Sequence, residues 1–86
     1  MKFKVRLSKA DKIMALLNQW DPEGRYANGE GARSYSYEGE TIAQNIRSNS
    51  KTESIEKAIR EVFSEVELVD DEVKSIAAYI KRTMKN

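Results

Sequence analysis

Three groups of residues have types and spacing that suit chemistry. The first is Asn28-Gly29-Glu30-Gly31-Ala32-Arg33-Ser34, a glycine-rich stretch that superficially resembles a phosphate loop. Backbone N–H groups in such a loop cradle anions, and Arg33 would assist. The dinucleotide fingerprint needs a strand before the loop, a helix opening at it and a third glycine. Here a helix pattern precedes it and Ser34 holds the third position, so a connector is the better reading. The second group is Asp70-Asp71-Glu72, with Glu65 and Glu67 nearby. Carboxylates attract magnesium, but acids at a helix start also satisfy free N–H groups and favour the dipole. Capping is the preferred account, and no Asp-x-Asp-x-Asp-Gly calcium loop is present.

The third group is the stretch Arg25 to Tyr37, which carries Arg25, Tyr26, Arg33, Tyr35 and Tyr37 among glycines and serines. Tyrosine and arginine lead interface hot spots, and Gly, Ser and Asn allow a loop to adapt. The same residues would stack single-stranded bases, with arginine on phosphates. A plainer reading makes Tyr35 and Tyr37 core-covering residues of a strand. All five are candidate partner-binding residues.

The absences narrow the chemistry. The chain has no cysteine and no histidine. Disulfides, thiolate nucleophiles, Ser-His-Asp triads and Cys- or His-ligated metals are excluded. Serine, lysine, tyrosine and carboxylates remain, and none is marked out by a motif. The expectation is a non-enzymatic protein with no cofactor and no metal.

These residues must be positioned by 86 residues and 9.8 kDa, which is one domain spanning residues 1–86. The longest apolar runs, Ile13–Leu17 and Ile76–Ile80, are too short to cross a bilayer. Met1 to Leu7 lacks the apolar block of a signal peptide, so a cytoplasmic location is expected. A net charge of +1 conceals +4 over residues 1–12, −6 over 53–72 and +4 over 74–86. That is not the overall basic signature of a nucleic-acid binder. Loop 25–37 and the acidic segment 53–72 are the two candidate contact surfaces.

Lys2-Phe3-Lys4-Val5-Arg6-Leu7 alternates with period two and reads as a half-buried strand. Ser8 with Asp11 resembles a capping box, followed by the stripe Ile13, Leu16, Leu17, Trp20. Asp21-Pro22-Glu23-Gly24 suits a type I turn. Arg33-Ser34-Tyr35-Ser36-Tyr37 alternates and reads as a second short strand, antiparallel to the first. A short helix over 40–48 is followed by one capped by Ser50 with Glu53, or by Thr52, carrying Ile55, Ala58, Ile59, Val62, Phe63 and Val66. A last helix starts at Asp70 or Asp71 and carries Val73, Ile76, Ala77, Ile80 and Met84. The predicted fold is α+β and mostly helical: an N-terminal strand, about four helices and a second strand in an antiparallel pair. The last two helices should form a hairpin over residues 9–20.

Leu16-Leu17-Asn18-Gln19-Trp20-Asp21-Pro22-Glu23-Gly24, followed by Tyr37-Glu38-Gly39-Glu40, resembles a family of small uncharacterised bacterial proteins, a domain of unknown function. Its members have a helix ending in Leu-x-x-Trp-Asp-Pro-x-Gly, then a Tyr-x-x-Glu segment, then two amphipathic helices. The likeness extends over residues 10–84 and is specific at Trp20-Asp21-Pro22 with Gly24; the longer loop 25–36 and the basic segment 2–7 depart from it. The resemblance implies a mostly helical fold and no activity. Similar small proteins include immunity proteins and mobile-element inhibitors.

The function expected is a small protein-binding module of inhibitor or immunity type. The alternative is a nucleic-acid binder using Lys2, Lys4 and Arg6 with the tyrosines and arginines of loop 25–37. A homodimer is a further expectation, by strand-edge pairing or by a shared apolar helix face.

Overall fold

A computed structural model of the chain describes residues 8–84. The strand expected over Lys2–Leu7 lies outside the described residues. Among those described, the chain is entirely helical. For the described residues, the α+β prediction is therefore corrected to an all-α fold. Helix α1 spans Lys9–Trp20, α2 Ser36–Asn45, α3 Thr52–Val62 and α4 Asp70–Met84. A π-type turn over Tyr26–Glu30 and a 3-10 turn over Gly31–Arg33 fill the connection between α1 and α2.

The expected strand Arg33–Tyr37 is instead the end of that connection and the start of α2. A longer apolar period overrides the short one. Tyr35, Gly39, Ile42, Ala43 and Ile46 are all buried. They recur at i, i+4, i+7, i+8 and i+11, which is one helix face. The apparent alternation of Arg33 to Tyr37 is too short to outweigh that pattern. Tyr37 lies on the outside while Tyr35 is inside, as helix geometry demands of residues two apart.

The helices pack in a ring: α1 on α2, α2 on α3, α3 on α4, and α4 back on α1. Of the hairpin expected over residues 9–20, α4 packs directly on α1 while α3 lies across the ring from it, and α2 closes the fourth side. Ile13 and Leu17 of α1, Ile42 of α2, Ile55 and Ile59 of α3, and Val73 and Ile80 of α4 meet in one core with Tyr35 and Phe63. Gly39 sits at a close approach of α1 and α2. A Cβ there would lie 3.2 Å from Met14 Cβ and 3.3 Å from the carbonyl oxygen of Ala10.

The helix starts follow local chemistry. Ser8 caps α1: its hydroxyl accepts from the Asp11 N–H at 3.1 Å, and the Asp11 carboxylate accepts from the Ser8 N–H at 3.3 Å. The box expected at Ser50 and Glu53 does not form. Ser50 Oγ accepts from the Arg47 N–H at 2.8 Å, closing the preceding turn. Lys51 occupies the cap position of α3 without a side-chain bond. Helix α3 ends at Val62, so Phe63 and Val66 belong to the turn into α4 rather than to the helix.

Candidate interaction loop

The loop between α1 and α2 is built on Asp21. Pro22 prevents continuation of α1, and Asp21 takes the left-handed conformation at the helix C-terminus, with φ 51° and ψ 57°. Asp tolerates that region better than most side chains. The expected turn forms, with the Gly24 N–H donating to the Asp21 carbonyl at 3.1 Å.

The Asp21 carboxylate reaches further than its own turn. Its Oδ1 accepts from the Tyr26 N–H at 3.0 Å and its Oδ2 from the Ala27 N–H at 3.0 Å. The Tyr35 hydroxyl donates to Oδ1 at 2.6 Å and accepts from the Glu23 N–H at 3.1 Å. One carboxylate therefore ties the helix end, the π-type turn and the start of α2. The hydrogen bond from Tyr35, helped by the two N–H groups and opposed by burial, holds the Asp21 carboxyl below its ordinary value. Burial and the Asp21 carboxylate push the Tyr35 phenol up.

Arg25 and Tyr35 come together inside this network. The guanidinium carbon of Arg25 stands 4.3 Å from the centroid of the Tyr35 ring. Arg25 Nη2 donates to Glu38 at 2.7 Å and to Glu23 at 2.9 Å. Burial lowers the Arg25 pKa, but the hydrogen bond and charge of Glu38, with Glu23, outweigh it and leave the group firmly protonated. The Tyr35 ring is 0% exposed and meets Phe63 edge to face at 5.9 Å. Phe63 meets Trp20 in the same way at 5.8 Å. Trp20 is only partly buried, and its indole N–H donates to the Glu72 carboxylate at 2.8 Å rather than to a backbone carbonyl.

The five candidate residues thus divide. Arg25 and Tyr35 are structural members of the network. Tyr26 and Tyr37 are 47% and 73% exposed, and Arg33 is exposed. At the far end, Asn18 of α1 donates to the Ala32 carbonyl at 2.8 Å and anchors the segment carrying Arg33.

No family model, curated protein or solved structure matches the chain. The functional reading therefore rests on geometry. The glycine-rich segment 28–34 is part of the paired turns between α1 and α2, with the Ser34 hydroxyl donating to the Gly31 carbonyl. Among the described residues, no three carboxylates gather closely enough to hold a metal ion. No described helix is long and apolar enough to cross a membrane. Sequence reading missed Glu23 and Glu38 as Arg25 partners. Glu38 lies 13 positions from Arg25, a separation that no local pattern encodes.

Proposed function

We propose that this chain is a small non-enzymatic protein-binding module, of inhibitor or immunity type, whose contact surface is the outer side of loop 25–37. One observation carries the reading. The loop is tied to the body through Asp21, Arg25 and Asn18, yet Tyr26, Arg33 and Tyr37 are left exposed. A loop already held in place loses little further freedom on binding, so its contacts convert more fully into affinity. Tyrosine suits such a surface because it offers a large rigid area and a hydroxyl with few torsions to freeze.

The nucleic-acid alternative uses Lys2, Lys4 and Arg6 with the tyrosines and arginines of loop 25–37, among them Arg25 and Tyr35. Both side chains are already committed to partners within the fold. That comparison favours a protein partner.

The test is affinity capture from the host cells with the wild-type chain and with Tyr26→Ala/Tyr37→Ala as baits. Both substitutions remove exposed rings, so the variant should melt like the wild type and lose the captured protein. A variant that retains the same partner would refute the assignment of the surface. Salt-sensitive binding of a labelled oligonucleotide by the wild type would favour the alternative.

A further inference from the structure

Helices α1 and α4 lie side by side in opposite directions. The start of α1 and the end of α4 share a shallow cleft lined by Lys9, Lys12, Thr83 and Met84. The end of α1 and the start of α4 share a larger groove of about 330 Å³, lined by Gln19, Trp20, Asp71, Glu72, Ser75 and Ile76. Between them, Leu16 follows Lys12 by one helical turn, and Tyr79 follows Ser75 and Ile76 by one turn. Leu16 is partly buried and Tyr79 is 50% exposed. The helical spacing places Leu16 and Tyr79 between the two ends, so the seam along α1 and α4 has apolar side chains at its middle.

The charge on this seam changes sign from end to end. Asp71 and Glu72 mark the Trp20 end, and Lys9 and Lys12 mark the other. Arg82, exposed and stacked 5.2 Å from the Tyr79 ring, adds positive charge on the basic side. Among the described residues, neither Asp71, Glu72 nor Lys12 takes part in an ion pair. Glu72 accepts the Trp20 indole N–H, and Lys9 donates to the Ile46 carbonyl at 3.1 Å.

We propose that this seam is a two-fold contact between two copies of the chain. In a two-fold interface the same patch meets itself turned end for end, so the patch must complement itself. A seam that is acidic at one end and basic at the other does so. The acidic end of each copy faces the basic end of the other, twice, while Leu16 and Tyr79 pack near the axis. A second copy carries this charge order by construction. The proposal rests on residues other than those of loop 25–37, which connects α1 to α2.

The seam is ~17 Å long between Glu72 and Thr83 at the rise of an α-helix. It is two helices wide, at an axis spacing of ~8–10 Å. That falls short of the ~800 Å² per partner of a standard stable interface. The dimer is therefore weak, concentration-dependent and sensitive to salt.

Sedimentation of the full chain over a wide concentration range, at low and high salt, tests the proposal. Lys12→Glu and Asp71→Lys each put like charges at both ends of the seam. Each variant alone should self-associate about tenfold more weakly, the combined scale of the two exposed charge pairs that the two-fold repeats. An equimolar mixture of the two should recover association as a heterodimer, since each variant then meets its complement. Circular dichroism checks that both are folded. Trp20 is the single tryptophan, so its emission should shift to the blue as wild type is concentrated. A wild type that stays monomeric throughout overturns the proposal. So does association that neither variant weakens and the mixture does not restore. A monomer whose Trp20 emission is moved instead by an added Lys/Arg-rich amphipathic peptide assigns the groove to another protein and equally overturns it.

Discussion

Replacing Tyr35 by phenylalanine removes one oxygen and leaves the ring in place. The packing against Phe63 and the contact with the Arg25 guanidinium survive, so the substitution isolates the hydroxyl. That hydroxyl donates to Asp21 at 2.6 Å and accepts from the Glu23 N–H at 3.1 Å. A hydrogen bond to a charged group contributes about 1.5–3 kcal/mol. Asp21 is partly open to water, which will take over some of the lost bonding. The lower part of that range applies, about 1.5–2 kcal/mol. For a domain this small, the melting temperature should fall by roughly 6–12 °C. The effect also carries a pH signature. The Tyr35 bond is the largest cause that holds Asp21 below its ordinary value of 3.8. A depressed carboxylate contributes stability above its unfolded pKa and loses it as pH falls through the folded one. The gap between wild type and Tyr35→Phe should thus be full near neutrality and narrow below pH 3.8. Thermal melts by circular dichroism from neutral to acid pH measure both quantities. A variant that melts with the wild type at neutral pH, or a gap that does not change in acid, would refute the role given to Asp21.

Phe63→Ala removes the ring that joins Trp20 and Tyr35, and should cost about 3–5 kcal/mol. A denaturant titration would show the loss, and an unchanged midpoint would contradict a core centred on that ring. Gly39→Ala should destabilise although alanine favours helices by up to ~1 kcal/mol, because overpacking costs about 1–3 kcal/mol. Two of the three atoms its Cβ would crowd are backbone atoms of α1, which yield little. A raised melting temperature would show that α1 and α2 separate easily. At high pH the sign reverses from that of Asp21. The Tyr35 phenol is raised above its ordinary value of 10.0, so stability should fall as pH climbs from there. In Tyr35→Phe that component of the alkaline loss should vanish, which melts above pH 10.0 would reveal.

The order of helices was legible from local pattern alone. Ser8 with Asp11, the stripe Ile13 to Trp20, the stop at Asp21-Pro22, and the long apolar periods of α3 and α4 each depend on residues within a few turns of one another. Propensity, capping and amphipathic spacing act over that range, so one dimension suffices to read them. The class of the fold was not legible in the same way. Arg33 to Tyr37 satisfies a period of two over five residues, and its helical character appears only when Gly39, Ile42, Ala43 and Ile46 are required to share a face with Tyr35. The core needed Tyr35 inside, and burial of a large ring outweighs a short alternation.

The same division runs through the candidate site. Sequence alone marked Arg25, Tyr26, Arg33, Tyr35 and Tyr37 as one group, because residue type and loop context are all that it displays. Tertiary structure separated them. Arg25 and Tyr35 turn inward because Glu38 and Asp21 stand where the fold brings them, 13 and 14 positions away. Tyr26, Arg33 and Tyr37 remain outside because no partner of that kind meets them. Whether a polar side chain supports a surface or forms it depends on what lies opposite in space, and chain closure over such separations is set by the packing of all four helices together.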